Sequence, residues 1–332
     1  MPGRSLSGCL IQAMSSSSVG YFSGPLRRSY GPRPLSRPRI RAPAVSVKTS
    51  VTGRCRMRAS LTRDMPLTPV LFLFLCHMGI GIVFTMLLIS SAAGVRFFRF
   101  TSATAFILVV LGIASHPAAL RFSRDAQGVA SASLIGGLFS LSLVVARTNP
   151  WRRACLWVSA AAGVVTLVAQ AVSAPSAVSA PSAIPLLLTI GSFVTSAVLL
   201  GSSFTAMLLG HWYLVLPSMD VSHLQSIVKF HLGSTLARGL SVGAVACAAA
   251  VSWNSPLAPS FFAYALSIDG IFFWQRLLFG LIGPVVLAYM TWETAKLRST
   301  QSATGILYVD LFMVMVGEIV AKYLLLSAAL PF

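Results

Sequence analysis

Residues 305–330 read GILYVDLFMVMVGEIVAKYLLLSAAL, an apolar stretch that is long enough to cross a bilayer as one helix. The stretch nevertheless carries Asp310, Glu318 and Lys322. An ionisable group in mid-membrane costs about 3 kcal/mol or more, so it normally faces a partner, a cavity or a substrate. Glu318 precedes Lys322 by four residues, so the two side chains can pair on one helix face. The stretch therefore predicts either a neutralised pair that joins helices or a functional site at Glu318.

The composition is that of an integral membrane protein. Of the 332 residues, 56% are hydrophobic and 10% are charged, and the mean hydropathy is +0.81. Residues 1–64 hold twelve of the 25 Lys and Arg residues, so the net charge of +18 gives little reason to expect nucleic-acid binding. The five cysteines are scattered, without a CxxC motif or a Cys/His cluster, so we predict no metal site and no Fe–S cluster in this chain.

The N-terminal tail, residues 1–64, is rich in Ser, Arg, Pro and Gly and has no apolar periodicity, which predicts a disordered segment. Arg- and Ser-rich, acid-poor N-termini are typical of organelle transit peptides. A second interpretation is that translation starts at Met65. A transit peptide predicts an organelle membrane, whereas a bacterial origin would predict the inner membrane. The predicted domains are the tail, 1–64, and a transmembrane domain, 65–332.

Eight apolar segments follow the tail, so the predicted fold class is all-α, a polytopic membrane bundle of about eight transmembrane helices. Basic residues in the predicted loops after the first, third and seventh helices, among them Arg96 and Arg99, place both termini outside. Arg276 is predicted at a helix start, near the opposite membrane face. The predicted helices lie near 66–92, 102–118, 128–147, 153–173, 185–215, 226–251, 271–295 and 303–330.

Three polar residues fall near the middle of their helices: His77 in the first, Arg238 in the sixth and Glu318 in the eighth. Their similar depth allows a His–Arg–Glu cluster inside the bundle. A guanidinium in lipid must find an anion, which Glu318 or Asp310 can supply. Asp310 lies nearer one membrane face, and His211 and His231 lie toward that same face. Beside Trp and Tyr residues, His211 also fits an interfacial aromatic belt, and His231 could extend to the interface with Lys229.

The chain from Met65 to Phe332 resembles the NrfD-like family, the eight-helix membrane anchors of polysulfide and dimethyl-sulfoxide reductases. TPVLFLFLCHMGIGIVFTMLL is similar to that family's first helix, in which a histidine helps to hold a quinone, here His77. VGEIVAKYLL resembles the family's late Gly-Glu-then-basic helix, here Gly317, Glu318 and Lys322. The resemblance implies a cofactor-free subunit that exchanges electrons between quinol and a separate Fe–S protein.

The leading hypothesis is a quinone-interacting membrane subunit of a respiratory-type redox complex, so the chain is at most one subunit of an oxidoreductase. His77 would hydrogen-bond a menaquinone or ubiquinone oxygen. Glu318 and Asp310 would carry protons toward one face, and Arg238 would supply the opposite charge. The predicted partners are the lipid bilayer and an Fe–S electron-transfer subunit.

Two alternatives remain open from the residues. The same buried charges could form the substrate and coupling site of a proton-coupled small-solute transporter. Alternatively, two of His77, His211 and His231 could bind haem b. The differing depths of His77 and His211 argue against that particular pair as axial ligands to one haem.

Overall fold

The computed structural model describes most of the transmembrane domain, and the predicted tail, 1–64, lies outside the described residues. Residue 128, residue 131, residues 134–139 and residue 141 are described within the third predicted helix, and all of them are helical. The other described ranges are 67–89, 94–116, 151–175, 184–215, 222–253, 258–268 and 270–332.

The regular elements of the described residues are helices, which confirms the all-α membrane fold. Seven spans are long and apolar enough to cross a membrane within the described part of the chain. One of these spans, Ile271–Lys296, contains a π-helical segment, Leu278–Ile282, between its two α-helical parts. The helices are α1 (Leu67–Met86), α2 (Gly94–Ser115), α3 (Arg152–Val172), α4 (Ile184–Val215), α5 (Ser222–Val251), α6 (Phe261–Ala265), α7 (Ile271–Leu277), α8 (Gly283–Lys296) and α9 (Thr300–Ala328).

The start of α2 corrects the prediction. The helix begins at Gly94, eight residues before the predicted position 102, so Arg96 and Arg99 lie inside a helix and not in a loop. Gly94 has a φ of +84°, a backbone conformation that glycine adopts readily, and it allows the chain to enter the helix there. Phe97 and Phe98 are buried and continue the apolar face of the helix.

Close contacts between small residues hold α1 in the centre of the bundle. A methyl group added at Gly81 would overlap the Ala197 carbonyl on α4, and one at Gly201 would overlap the Gly81 backbone. On another face of α1, Gly79 lies against Val109 of α2. Membrane helices associate through such close packing because lipid supplies no hydrophobic drive. The contact between α1 and α4 brings His77 of α1 next to the polar residues of α4.

Large apolar side chains cover the outward faces of the bundle, as contact with lipid requires. Trp157 of α3, Leu240 of α5 and Phe312 of α9 are exposed by 65%, 77% and 63%. The short helix α6 lies in the connection between α5 and α7. Its Phe262 is exposed, whereas Phe261 packs on Phe273 and Phe332.

We expect Gly201→Ala to lower the free energy of unfolding by about 1–3 kcal/mol, because the added methyl has no room against Gly81. Gly191→Ala on the same helix is the control, since a Cβ there meets no atom within 4 Å among the described residues. Melting temperatures in detergent measure both. Equal melting temperatures for the two variants would contradict the tight contact between α1 and α4.

Candidate functional site

The carboxylate of Glu318 lies at the centre of a fully buried group of charged side chains. Arg238 of α5 donates from Nε to Oε1 at 2.9 Å and from Nη2 to Oε2 at 3.3 Å. Arg276 of α7 donates from Nη2 to Oε1 at 2.7 Å. All three side chains are 0% exposed. Two guanidiniums from different helices therefore hold one carboxylate of α9 in the interior of the bundle.

A chain of polar groups leads from Glu318 to His77. Ser196 donates to Glu318 Oε2 at 2.5 Å and accepts from Lys322 Nζ at 2.8 Å. His77 Nδ1 lies 3.3 Å from Ser196 Oγ, and Nε2 lies 3.1 Å from Gln170 Oε1. We call Arg238, Arg276, Glu318, Lys322, Ser196 and His77 the central cluster.

The proton positions in this chain follow from counting donors. The single proton of Ser196 goes to Glu318, so the contact with His77 Nδ1 requires His77 to donate. A neutral His77 then needs a donor at Nε2. The amide nitrogen of Gln170 supplies one if the amide is turned over, and this nitrogen has no hydrogen-bond partner among the described residues in its present orientation.

The remaining donors of Arg238 bind backbone and hydroxyl oxygens. Nη1 donates to the carbonyl and the hydroxyl of Ser192 at 2.9 and 2.8 Å, and Nη2 donates to the carbonyl of Phe332. Residues 329–332 fold back toward the cluster because Ala329 adopts a left-handed conformation with φ of 56° at the end of α9. Phe332 is 2% exposed and contacts the ring of Phe273.

Arg276 sits where the spanning helix is irregular. Its guanidinium lies against Gly280 in the π-helical segment, and any side chain at Gly280 would overlap it. Gly317 of α9 packs on the Gly280 backbone, so two glycines provide the space for this guanidinium. Arg276 Nε and Nη1 are buried without a hydrogen-bond partner among the described residues.

Among the side chains of the central cluster, positive charge exceeds negative charge. Arg238 and Arg276 contribute two guanidiniums, and Glu318 contributes one carboxylate. Lys322 Nζ lies 3.7 Å from Glu318 Oε2, farther than either guanidinium. Each of these side chains is at most 2% exposed.

A second buried group pairs His231 with Asp310. His231 Nε2 of α5 lies 2.8 Å from Asp310 Oδ2 of α9, and both side chains are 0% exposed. His231 Nδ1 lies 2.9 Å from Ser202 Oγ of α4, which lies 2.7 Å from Ser234 Oγ. Asp310 and Glu318 are eight residues apart on α9, so about 12 Å of helix axis separates the two groups.

The structure brings together three of the residues predicted from depth: His77, Arg238 and Glu318. Asp310 does not join them but pairs with His231, which points inward and away from the interface. His211 lies elsewhere, exposed and 3.2 Å from Tyr308 Oη. It follows Ser196, the neighbour of His77, by fifteen residues on α4, or about 22 Å along the axis. His77 and His211 are thus not brought together.

Arg276 is the site residue that sequence reasoning missed. Arg276 lies near the start of its span, which begins at Ile271, as expected, but its side chain is 0% exposed and binds Glu318, which was not expected. A signal was present in its surroundings, since IFFWQRLLFGLIG is apolar on both sides of the arginine. A guanidinium in such a sequence must bind an anion inside the bundle.

The described residues contain no group of three or more His, Cys, Asp or Glu side chains that could hold a metal ion. No protein-family model matches the sequence, and neither a curated protein nor a solved structure matches it significantly. The fold and the buried charges define an integral membrane helical protein. The resemblance to the NrfD-like anchors stays a prediction carried by its two short motifs.

We expect Glu318→Gln to destabilise the protein by about 3–5 kcal/mol, because it leaves two guanidiniums buried without their anion. Glu293→Gln is the matched control. Glu293 pairs with Lys296 at 2.7 Å where both are more than 40% exposed, and a surface pair contributes about 0–1 kcal/mol. Thermal unfolding in detergent compares the two. If both variants melted at the same temperature, Glu318 would not be the anion that holds the cluster.

Proposed function

We propose that the protein is a membrane carrier of a small anionic solute and that the central cluster is its solute site. The observation that carries the proposal is a fully buried excess of positive charge beside a π-helical segment in a membrane-spanning helix. Ionisable residues inside a membrane are costly and mark substrate and ion pathways. This is the transporter alternative that the sequence left open, with an anion as the solute.

The charges of the cluster favour an anion over a cation or a neutral solute. Two guanidiniums and the Lys322 amine surround one carboxylate, so a second anion would be attracted and would compete with Glu318 for the same donors. Guanidinium groups bind carboxylate and phosphate oxygens well. Arg276 has donors for an anion, since Nε and Nη1 have no partner among the described residues.

The irregular helix also supports a carrier. The binding sites of many transporters lie near the middle of the bilayer, where a spanning helix is discontinuous. Here the span Ile271–Lys296 is helical throughout, and the π-helical segment begins two residues after Arg276. π-Helical turns within α-helices are frequent at functional sites. The close contact between Gly280 and Gly317 brings this segment against α9.

Binding of small anions to the purified protein tests the proposal. Four anions are compared as sodium salts at constant ionic strength: chloride, acetate, succinate and phosphate. We expect at least one of them to raise the melting temperature by binding to the folded state. The same anion should enter proteoliposomes that contain the protein. If none of the four binds or enters, the anion-carrier proposal fails for these solutes and for the carboxylate and phosphate chemistry that they represent.

Arg276→Gln should weaken binding of that anion at least tenfold, or by about 1.4 kcal/mol, because it removes the guanidinium donors beside the π-helical segment. Arg298→Gln is the control for the same chemical change at an exposed position. Titration of the melting temperature with each salt gives both affinities. Unchanged affinity in a folded Arg276→Gln protein would remove Arg276 from the solute site.

Quinone binding is a second candidate, which two features around His77 favour. The ring of Phe193 lies 4.8 Å from the His77 ring, and the Gln170 amide nitrogen beside it has no partner among the described residues. The Gln170 amide nitrogen has a proton to donate to a quinone oxygen, and an aromatic ring would pack against the quinone. This site is the one expected for the redox subunit, whose Fe–S partner would be a separate chain.

A fluorescent quinol analogue tests this candidate. Saturable quenching by the purified protein that disappears in His77→Ala and persists in His211→Ala would support a quinone site at His77. His211 is the control because it is exposed and lies far along α4. Absence of quenching in folded wild-type protein would exclude quinol binding at this site.

A further inference from the structure

We infer that His231 and Asp310 form a proton-binding site that is separate from the central cluster. The hydrogen bonds around His231 Nδ1 can be made both with and without the added proton. The pair joins α5 to α9 at 2.8 Å between His231 Nε2 and Asp310 Oδ2. Both side chains are 0% exposed, so neither exchanges protons directly with bulk water. A neutral imidazole can accept a proton, and a carboxylate beside it favours the imidazolium form.

Ser202 is the group that lets the site exist in two protonation states. Its hydroxyl lies 2.9 Å from His231 Nδ1 and 3.0 Å from the Leu199 carbonyl. When His231 is neutral and carries its proton on Nε2, Ser202 donates to Nδ1. When His231 is an imidazolium, Nδ1 donates to Ser202, and the hydroxyl turns to the Leu199 carbonyl. Nδ1 therefore has a partner in both states, whereas the contact of Nε2 with Asp310 is a close charge-pair approach that is not aligned as a hydrogen bond.

Ser234 supports the same exchange from α5. Its hydroxyl lies 2.7 Å from Ser202 Oγ and 2.7 Å from the carbonyl of His231. It can therefore donate to Ser202 or turn to the backbone, depending on which way the Ser202 proton points. The gain or loss of the proton therefore needs only the rotation of the Ser202 and Ser234 hydroxyls and no movement of the backbone.

The other charged groups near these helices are engaged elsewhere. Lys296 pairs with Glu293 at 2.7 Å and lies 3.5 Å above the Trp292 ring, and Lys229 lies 5.9 Å from that ring. Glu318 and its cations are about 12 Å farther along α9. Within the described part of the chain, the recorded polar contacts of the His231–Asp310 pair are with Ser202, Ser234 and Thr235.

A cavity provides a route for the proton. It has a volume of about 270 Å³, lies between the end of α1, α4 and α5, and includes His223, Ile227 and Phe230 in its wall. His223, Ile227 and His231 follow each other at four-residue intervals, so they lie on one face of α5. The cavity wall therefore ends one helical turn from His231.

The chemical step is a simple proton transfer. A proton taken from hydronium in the cavity, which leaves a water molecule there, must cross one helical turn to reach neutral His231. The pair then changes from a carboxylate with a neutral imidazole to a carboxylate with an imidazolium. The net charge of the site rises from −1 to 0. That this proton drives solute movement rests on the proposed carrier function, whereas proton binding itself does not.

Nitrogen-15 NMR of proteoliposomes containing histidine-labelled protein tests the site directly. Over a pH series, we expect one imidazole signal to pass from the neutral to the doubly protonated form, to be absent from His231→Gln and to shift its midpoint in Asp310→Asn. Glu293→Gln should leave it unchanged. If His231→Gln does not fold, Ser202→Ala identifies the same signal by shifting it. A His231 signal that keeps one protonation state across the pH range of the folded protein overturns the inference.

Transport separates this inference from the carrier proposal. With radiolabelled chloride, acetate, succinate or phosphate, Asp310→Asn should lose accumulation driven by a pH gradient and keep exchange of internal for external anion. If Asp310→Asn kept both the accumulation driven by the pH gradient and the exchange, the role of the pair in coupling would be overturned. If wild-type protein moves none of the four anions, the carrier proposal fails, and the NMR titration alone decides the proton site.

Discussion

The ionised carboxylate of Glu318 is the constraint on which the rest of the bundle depends. A carboxylate in an apolar interior is strongly unfavourable unless it is paired and hydrogen-bonded, and the same holds for each guanidinium that binds it. Arg238, Arg276 and Glu318 therefore require one another, and they tie α5, α7 and α9 together at one level. Ser196 adds α4 to the same point. The close glycine contact of α1 with α4 then determines where His77 lies.

The two buried groups share their supporting helices. α4 supplies Ser196 to the central cluster and Ser202 to the His231 pair, six residues or about 9 Å apart along the axis. α9 supplies both carboxylates, and α5 supplies Arg238 and His231. Any displacement of one of these helices along its axis therefore changes both groups together, which is the mechanical requirement for coupling one binding event to another.

Hydropathy and depth predicted much of this arrangement. Most helix bounds lie within four residues of the predicted ones, and His77, Arg238 and Glu318 were matched correctly because a residue's position along its span fixes its depth. Depth does not fix which way a side chain points around the helix, so the pairing of Asp310 with His231 was not foreseen. The inward position of the Arg276 side chain was not predicted, because nothing in a local sequence pattern announces a π-helical turn. The start of α2 depended on the conformation of Gly94, which composition does not reveal.

The π-helical segment holds one residue more per turn than the α-helices on either side of it. Such a surplus residue can travel along a helix by exchanging hydrogen-bond partners, and each residue that it passes turns by about 100° around the axis. If the surplus moved one turn toward the N-terminus, Arg276 would swing away from Glu318 while both ends of the span stayed in place. A carboxylate could thereby lose one of its two guanidiniums through a local change of helical register, without bending the helix or separating it from its neighbours.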